Sequence, residues 1–335
     1  MQGSRGASNN PSFSCSSAPP LLRASFAMPS AYHNREMPEL PDIVVYVERV
    51  AARVVRRVLQ RVRVASPFLL RTVTPSLAEA EGRTVREVRR LGKRIVLCLE
   101  GDLFLVIHLM IAGRLHWRVC GAQVPKKLGL AAFDFPEGTL LLTEASPKKR
   151  ASLHVVRGDA DLAALGRGGL EVLDADLASF RAALTRENHT LKRALTDPSL
   201  FSGIGNAYSD EILHRARLSP LALSQRVAED EVQRLYCAAR ETLSEWLERL
   251  RREAGDGFPE KVTAFRSGMS VHGRYGQACP DCGAPVQRIV YAENEANYCA
   301  RCQTGGRLLA DRALSRLLKG DWPRTLEELE DRRGR

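Results

Sequence analysis

The sequence lacks any apolar run long enough to cross a membrane, since a spanning helix needs about 20 consecutive apolar residues. It also lacks a convincing secretory signal, because the short apolar stretch at Leu21-Leu22 is a poor hydrophobic core for one. These absences argue against a membrane partner and against an oxidising compartment. The sequence therefore predicts a protein of a reducing compartment, the cytoplasm.

Acidic residues are too few to balance the basic ones. Asp and Glu number 39 against 50 Lys and Arg, which gives a net charge of +11. That excess favours a polyanionic partner such as nucleic acid, although many basic proteins bind none. At 335 residues, the chain is long enough for about two domains and a sizeable core.

Half of the eight cysteines form one spaced set of the form C-x2-C-x16-C-x2-C: Cys279, Cys282, Cys299 and Cys302. Each C-x-x-C places two thiolates on a tight turn, and two such turns complete a tetrahedral Zn²⁺ site. Four thiolates leave no open coordination position, so we predict one structural zinc. Two adjacent disulfides are the alternative, which a reducing compartment disfavours. Cys98 lies in an apolar run and is interpreted as a buried free thiol.

Residues 1–36 are rich in Ser, Asn, Pro and Ala and show no periodicity, which predicts a disordered extension. A transit peptide is one alternative. The interpretation we favour is a mis-assigned start, with translation beginning at Met37. Met28-Pro29 offers another start, but no Glu follows it.

A start at Met37 changes the chemistry of the two residues that follow. Methionine aminopeptidase generally removes Met ahead of a small residue such as Pro, which would leave Pro38 with a free secondary amine. That amine is a nucleophile towards an aldehyde carbon, and Glu39 supplies a carboxyl group beside it. In a longer chain the nitrogen of Pro38 belongs to an amide and is not nucleophilic.

The apolar pattern after Asp42, a candidate N-cap, has a 3.6-residue period and predicts a helix over about 42–60. A β-rich stretch follows, with a strong hairpin signal over 94–99 and 103–109. Further strands are predicted near 113–119, 130–135 and 139–143, and helices over 176–184, 187–196, 207–215, 228–252, 308–318 and 324–331. The fold class is α+β, with an N-terminal β-sandwich, a helical domain and a C-terminal hairpin that carries the cysteines. The expected boundaries are 1–36 for the extension, 37–160 for the sandwich, 161–261 for the helical domain, 262–304 for the zinc finger and 305–335 for the tail.

A turn-rich break precedes the helix predicted over 207–215. Gly203 and Gly205 let backbone N–H groups approach an anion, and the helix N-terminus that follows adds positive potential. An ordinary helix–helix turn is the alternative for a Gly-x-Gly pair alone.

Three stretches together resemble the formamidopyrimidine-DNA glycosylase/endonuclease VIII family. Residues 37–42 read Met-Pro-Glu-Leu-Pro-Asp, where family members begin Met-Pro-Glu-Leu-Pro-Glu. Residues 191–213 look like the family's helix–two-turn–helix, and 271–302 look like its zinc finger. The resemblance implies a bifunctional DNA glycosylase and AP lyase acting on damaged double-stranded DNA. The base would be flipped into a cleft, Pro38 would attack C1′, Glu39 would protonate the ring oxygen, and β,δ-elimination would follow.

The resemblance also implies roles for further residues. Lys93 aligns with the family's active-site lysine, although a solvated basic edge is the alternative for its neighbours. DNA contacts fall on Lys192, Asn206, Asn294, Ile111, Lys148 and Arg150. Two of these depart from the family pattern: Asn294 replaces an Arg, and Arg150 replaces the Phe of an Arg-x-Phe pair. Preference for oxidised purines or oxidised pyrimidines therefore does not carry over.

Two other classes of function stay open. The first is a damage-recognition protein that keeps the scaffold and binds DNA without chemistry, and a chain that retains residues 1–36 favours it. The second is a zinc-ribbon nucleic-acid module joined to an unrelated enzyme, which the order of the three matching stretches disfavours. As a DNA-repair enzyme, the protein is expected to be a monomer associated with the bacterial nucleoid.

Overall fold

The computed structural model describes residues 37–259, 266–291, 294–310 and 323–334. The predicted extension over 1–36 and nearly all of the predicted helix over 308–318 lie outside these ranges. No helix within the described ranges is long and apolar enough to cross a membrane.

Helix α1, Leu40–Val54, begins two residues before the predicted cap. Asp42 lies inside the first turn, where its Oδ2 accepts a hydrogen bond from the backbone N–H of Glu39 at 3.0 Å. The helix ends at Val54 because Val55 is extended and the N–H of Arg56 donates to the carbonyl of Val85. The apolar 3.6-residue pattern continues in the sequence beyond Val54. There, however, the backbone of Arg56 pairs with the sheet, and the helix does not continue.

Two antiparallel sheets confirm the predicted sandwich. The five-stranded sheet has the order β1-β3-β4-β5-β9, and the four-stranded sheet has the order β2-β7-β8-β6. A shared core of fully buried side chains such as Leu97, Phe133 and Leu142 includes residues of both sheets. The strands are β1 Val58–Leu59, β2 Arg61–Val64, β3 Arg83–Leu91, β4 Arg94–Leu99, β5 Leu103–His108, β6 Gly113–Arg118, β7 Gly129–Phe135, β8 Gly138–Glu144 and β9 Ser152–Arg157.

Helices follow the sandwich and enclose a second core, in which Phe201, Tyr208 and Leu243 are buried. Leu40 of α1 belongs to this second core, whereas Ile43 and Tyr46 belong to the first. Helix α1 therefore joins the two halves of the molecule. The helices are α2 Gly158–Leu165, α3 Leu177–Thr185, α4 Leu191–Thr196, α5 Asn206–Ala216 and α6 Glu229–Ala254.

The C-terminal module is a strand pair with a third, smaller core. Strands β10 and β11 pair in antiparallel register from Val286 with Cys299 to Tyr291 with Asn294. This pairing confirms the predicted hairpin that carries the cysteines. The elements of the module are β10 Val286–Tyr291, β11 Asn294–Cys299, α7 Ala300–Thr304 and α8 Leu326–Gly334.

Strand register places several connections at one end of the sandwich, which we call the site end. Arg94 pairs with His108, and His108 pairs with Ser152, so three strands share a terminal rung. The β3–β4 turn, the turn after β5 and the loop before β9 all leave from that rung. Glu144, at the end of β8, pairs with Gly113 at the start of β6, so the four-stranded sheet contributes to the same end.

Candidate active site

Glu39 lies at the N-terminus of α5 and is 3% exposed. Its Oε2 accepts a hydrogen bond from the N–H of Gly205 at 2.6 Å, and its Oε1 accepts one from the N–H of Ala207 at 2.8 Å. The N–H of Tyr208 donates to Oε2 at 3.3 Å. The first turn of a helix has N–H groups without helical partners, and its dipole favours negative charge, so the carboxylate is both satisfied and held in place.

Lys93 reaches the same point from the β3–β4 turn. A Cβ added to Gly205 would stand 2.5 Å from the Glu39 carboxyl and 2.5 Å from the Lys93 Nζ. Gly205 has a φ of −132°, which any residue adopts, so glycine is needed here for space. Pro38 is buried next to Glu39 in sequence. The structure therefore brings the three predicted catalytic residues to one place.

Asp42 supports this arrangement from below. In addition to the N–H of Glu39, it pairs with Arg266, whose Nη2 lies 2.7 Å from Oδ1. Burial raises the pKa of Asp42, and the Arg266 guanidinium opposes that shift. The ion pair connects α1 to the segment that leads into the zinc module.

Lys192 lies beneath the start of α5 and is 3% exposed. Its Nζ donates to the carbonyl of Asn206 at 2.6 Å and to Asp210 Oδ1 at 2.5 Å. Protein oxygens therefore enclose this ammonium in the structure, and the phosphate contact of Lys192 stays a prediction. The Asn206 side chain is half-buried at the helix start and makes no hydrogen bond to the described residues, so its phosphate contact stays a prediction.

Two neighbouring carboxylates on α5 hold the C-terminal module. Asp210 accepts hydrogen bonds from the His272 ring and from the N–H of Asn297, at 2.7 Å and 3.0 Å. Glu211 accepts three further N–H bonds of 2.7 to 2.9 Å, from residues 270–272. Although burial opposes ionisation, the Lys192 ammonium and the His272 ring keep the pKa of Asp210 below its usual value. Helix α5 thus contacts the Glu39 carboxylate at its start and the zinc module along its length.

The four cysteines of the spaced set converge, with their sulfur atoms within 4.8 Å of one another. The Sγ atoms of Cys282 and Cys299 are 3.4 Å apart, and those of Cys279 and Cys302 are 3.9 Å apart. A tetrahedron with Zn–S bonds of about 2.3 Å requires sulfur separations of about 3.8 Å. The donor set and its dimensions fit a structural Zn²⁺, and His214 Nε2 lies 3.3 Å from Cys279 Sγ as an outer support.

Three of the predicted DNA contacts occupy two adjacent connections at the site end: Ile111, Lys148 and Arg150. The N–H of Ala145 donates to the carbonyl of Ala112 at 3.3 Å, which joins the turn after β5 to the loop before β9. Ile111 is half-buried in the first, and Lys148 and Arg150 are exposed in the second. The side chain of Asn294 lies outside the described atoms, so its role stays a prediction.

Three family models match the chain in order. They are the formamidopyrimidine-DNA glycosylase N-terminal domain over 37–155, the formamidopyrimidine-DNA glycosylase H2TH domain over 169–254, and the zinc finger found in FPG and IleRS over 276–305. Formamidopyrimidine-DNA glycosylase of Heliobacterium modesticaldum is 32% identical, covering 80% of this chain and 100% of that protein. The chain belongs to the formamidopyrimidine-DNA glycosylase family.

Solved structures of the family share the fold. The MutM (Fpg) protein of Thermus thermophilus superposes with a TM-score of 0.67 at 34% identity, covering 79% of this chain and 98% of that one. The Lactococcus lactis Fpg, solved with DNA containing an abasic site, gives a TM-score of 0.71 at 23% identity, covering 79% and 99%. At that identity the second comparison supports the fold alone. The match to the family zinc finger confirms the predicted structural zinc.

Three residues whose contacts hold the site in place were not predicted from the sequence. Arg266 pairs with Asp42 across 224 positions, and Glu144 accepts N–H bonds from the loop of Arg150. Glu211 lies within the motif at 191–213, but the sequence did not predict which backbone N–H groups it binds. A buried carboxylate has no sequence signature beyond an acidic residue between apolar ones, because its donors are backbone groups elsewhere in the chain. Glu144 follows the strand run 139–143 and carries that weak signal.

Replacement of Cys299 by Ser should release zinc and weaken DNA binding, because a hydroxyl is a poor zinc ligand and the module would lose its core. Zinc content by atomic absorption and DNA affinity by anisotropy check this result. The exposed Cys237→Ser variant is the matched control, and it should retain one zinc per chain. Full zinc content in the Cys299 variant would contradict the metal assignment.

Replacement of Asp210 by Asn should lower the free energy of unfolding by about 3 kcal/mol, because it leaves the buried Lys192 ammonium without its counter-charge. Urea unfolding measures the change. The exposed Asp230→Asn variant, which breaks the Arg234 pair, should cost less than about 1 kcal/mol. Since the folded pKa of Asp210 is lowered, its contribution is present above the ordinary Asp range and is lost as the pH falls through the lowered value. An equal cost for the two variants would contradict this ranking.

Proposed function

We propose that Pro38, in a form of the chain that begins with it, is the nucleophile of a bifunctional glycosylase that removes oxidised bases. The chain is a base-excision-repair DNA glycosylase with AP lyase activity, and its partner is damaged duplex DNA. The observation that carries the assignment to residues is the convergence of Glu39, Lys93 and the N-terminus of α5 next to Pro38.

The first bond to form joins the Pro38 nitrogen to C1′ of the flipped nucleotide, and the bond from C1′ to the base breaks. An α-amino group with an ordinary pKa near 8 is partly neutral at cellular pH, so a fraction of the enzyme is ready to react. The product is an iminium ion once the sugar ring has opened. Its positive charge makes the C2′ proton acidic, and loss of that proton starts β,δ-elimination, which nicks the strand.

Glu39 has two tasks in this scheme. Three backbone N–H groups favour the carboxylate in the resting site, since each donates a hydrogen bond to it. We infer that Glu39 takes the proton that the Pro38 ammonium loses and then passes it to the ring oxygen as C1′ is attacked. Glu39→Gln, which cannot carry that proton, should bind duplex but fail to excise the base.

Lys93 supplies positive charge beside Glu39 at the N-terminus of α5. An ammonium beside the reacting sugar attracts the phosphate of the lesion nucleotide and thereby holds the sugar ring against Pro38. Lys93→Ala should therefore reduce excision about 10²-fold, measured by single-turnover kinetics on a lesion duplex. The Lys192→Ala variant tests stability instead of catalysis, because loss of that buried ammonium should lower thermal stability.

DNA binding should depend strongly on salt. Each phosphate neutralised by a Lys or Arg adds about 0.9 to the slope of log affinity against log salt. The Arg150→Ala and Lys148→Ala variants should each lower that slope by about one if these exposed cations contact phosphate. A slope unchanged by both substitutions would place the two residues away from the phosphates.

The deciding experiment incubates protein that begins at Pro38 with duplexes carrying 8-oxoguanine, an oxidised pyrimidine or an abasic site. Release of the base and 3′-phosphate ends would establish the reaction, and the duplex processed fastest would give the lesion class. Binding without cleavage of any duplex would turn the protein into a damage-recognition factor on this scaffold. Association with the nucleoid is a further proposal, tested by imaging a tagged chain in cells.

A further inference from the structure

His214 faces the zinc module from the last turn of α5 and is 3% exposed. Its Nε2 lies 3.3 Å from the Sγ of Cys279. A ring nitrogen of His214, the Sγ of Cys302 and a carboxylate oxygen of Asp281 all lie within 4.8 Å of one another. A buried imidazole from the helical half of the molecule therefore stands beside two of the four sulfur atoms.

The distance from His214 to Cys279 is close to the spacing of two ligands on one zinc ion. With bonds of about 2.0 Å to nitrogen and about 2.3 Å to sulfur, a tetrahedral ion holds its nitrogen and sulfur ligands about 3.5 Å apart. The observed separation is 3.3 Å. A hydrogen bond from the imidazole N–H to the thiolate gives a similar distance. The two roles exclude each other, because a nitrogen that donates its proton to sulfur has no lone pair for a metal ion.

The end of α5 is bonded to the zinc module on both sides of His214. Glu211, one turn earlier, accepts three N–H bonds from the segment that leads into the module. Gln303, in α7, donates from Nε2 to the carbonyl of Leu218 at 2.9 Å. Its Oε1 accepts the N–H of Cys299 at 2.8 Å. The imidazole is therefore held at the sulfur atoms by contacts other than its own.

The four sulfur atoms differ in their access to this imidazole. All four lie in the described ranges, and only that of Cys279 forms a hydrogen bond with His214. The Sγ of Cys299 instead accepts the N–H of Cys302, at 3.5 Å. Three thiolates and one imidazole are an ordinary donor set for structural Zn²⁺. His214 is thus placed to complete the set when Cys279 is missing, but not when Cys299 is.

We propose that His214 is a reserve zinc ligand, which takes the place of Cys279 when that thiolate is lost. The neutral imidazole would bind through its lone pair, so the exchange needs no oxidant or other reactant. With all four thiolates present, the same nitrogen donates to Cys279 and stays outside the donor set. The module then has two donor sets for one ion, and α5 keeps its contacts with the module in both.

The test compares Cys279→Ser with Cys299→Ser in the whole protein, with zinc measured by atomic absorption and its affinity by competition with a chelator. We expect Cys279→Ser to retain one zinc per chain and Cys299→Ser to lose it. Adding His214→Ala to Cys279→Ser should weaken zinc binding more than about 10²-fold, beyond the 10–100-fold that loss of an outer partner costs. His214→Ala alone should stay within that outer-partner range, because four thiolates remain.

Co²⁺ in place of zinc reports the donor set directly. In Cys279→Ser, the thiolate charge-transfer absorption should fall by about a quarter while the tetrahedral spectrum persists, since one thiolate of four is replaced by nitrogen. Adding His214→Ala should abolish that spectrum. A residue that only donates a hydrogen bond to sulfur would leave no such signature once the sulfur is gone.

Two matched controls are made in the Cys279→Ser background. His189→Ala removes a histidine that pairs with Glu187 elsewhere in the helical domain, and it should leave zinc content unchanged. Asp281→Asn removes the other candidate oxygen donor, and it should also leave zinc bound. Loss of zinc with Asp281→Asn, rather than with His214→Ala, would assign the fourth ligand to the carboxylate and overturn the proposal.

Three other results would overturn it as well. One is equal loss of zinc from Cys279→Ser and Cys299→Ser, confirmed with the Cys279→Ala and Cys299→Ala pair, which lacks the hydroxyl. Another is zinc retained when Cys279→Ser is combined with His214→Ala. The third is full release of zinc by His214→Ala alone, since the imidazole would then be needed while all four thiolates are present.

Discussion

Borohydride should cross-link a chain that begins at Pro38 to a duplex containing an abasic site, and the 335-residue form should give no adduct. The difference is all or nothing, because an amide nitrogen cannot form the iminium ion that borohydride reduces. Denaturing electrophoresis detects the covalent complex. Peptide mapping by mass spectrometry should place the sugar remnant on the nitrogen of Pro38.

Both forms must bind the same duplex for this comparison to be informative, and anisotropy provides that control. Mass spectrometry of the protein isolated from its natural host identifies which N-terminus occurs there. An adduct of equal yield from the 335-residue form would contradict the assignment of the nucleophile. The mapped peptide would then identify the amine that reacted, and Lys93 lies close enough to be considered first.

Gly205→Ala should reduce base excision by at least about 10²-fold. The added methyl would stand 2.5 Å from both the Glu39 carboxyl and the Lys93 Nζ, so the two groups have to move apart. The backbone itself tolerates alanine, since the φ of −132° is an extended value. Single-turnover excision of a lesion base measures the chemical step, and thermal unfolding reports any effect on stability.

Gly166→Ala is the control for this substitution. Its φ is −72°, and an added Cβ would lie 3.1 Å from the carbonyl oxygen of Ala163, a milder contact away from Glu39. Excision by that variant should stay within about twofold of the unsubstituted protein. Normal excision by Gly205→Ala would show that the convergence of Glu39 and Lys93 is not needed for catalysis.

Local sequence patterns predicted the parts of the fold that depend on residues close to one another in sequence. The spacing of Cys279 to Cys302 predicted the zinc module, and the apolar runs over 94–99 and 103–109 predicted the β4–β5 hairpin. The short strands β1 and β2 were missed because two to four residues carry too little periodicity, and the strands β3 and β9 were also not predicted. Helix α1 was predicted to extend to residue 60 but ends at Val54, since nothing local marks the pairing of Arg56 with Val85.

The site shows the same division. Pro38, Glu39 and Lys93 were predicted from motifs, whereas the hydrogen bonds that hold Glu39 in place connect positions distant in sequence. Glu39 reaches Gly205 across 166 positions. For Lys192, the motif indicated a place in the helix–two-turn–helix. It did not indicate that the side chain is buried against Asp210. A lysine has the same sequence appearance whether its ammonium faces a phosphate or a carboxylate.

Helix α5 has 11 residues and a length of about 16 Å. Its start holds the carboxylate of Glu39, and its acidic pair and His214 hold the module of the four thiolates. Thiolates are the groups that oxidants attack first, and their oxidation expels zinc. The oxidising conditions that damage DNA bases therefore also attack the sulfur ligands of this protein. Because α5 contacts both the zinc module and Glu39, loss of zinc would also disturb the position of Glu39.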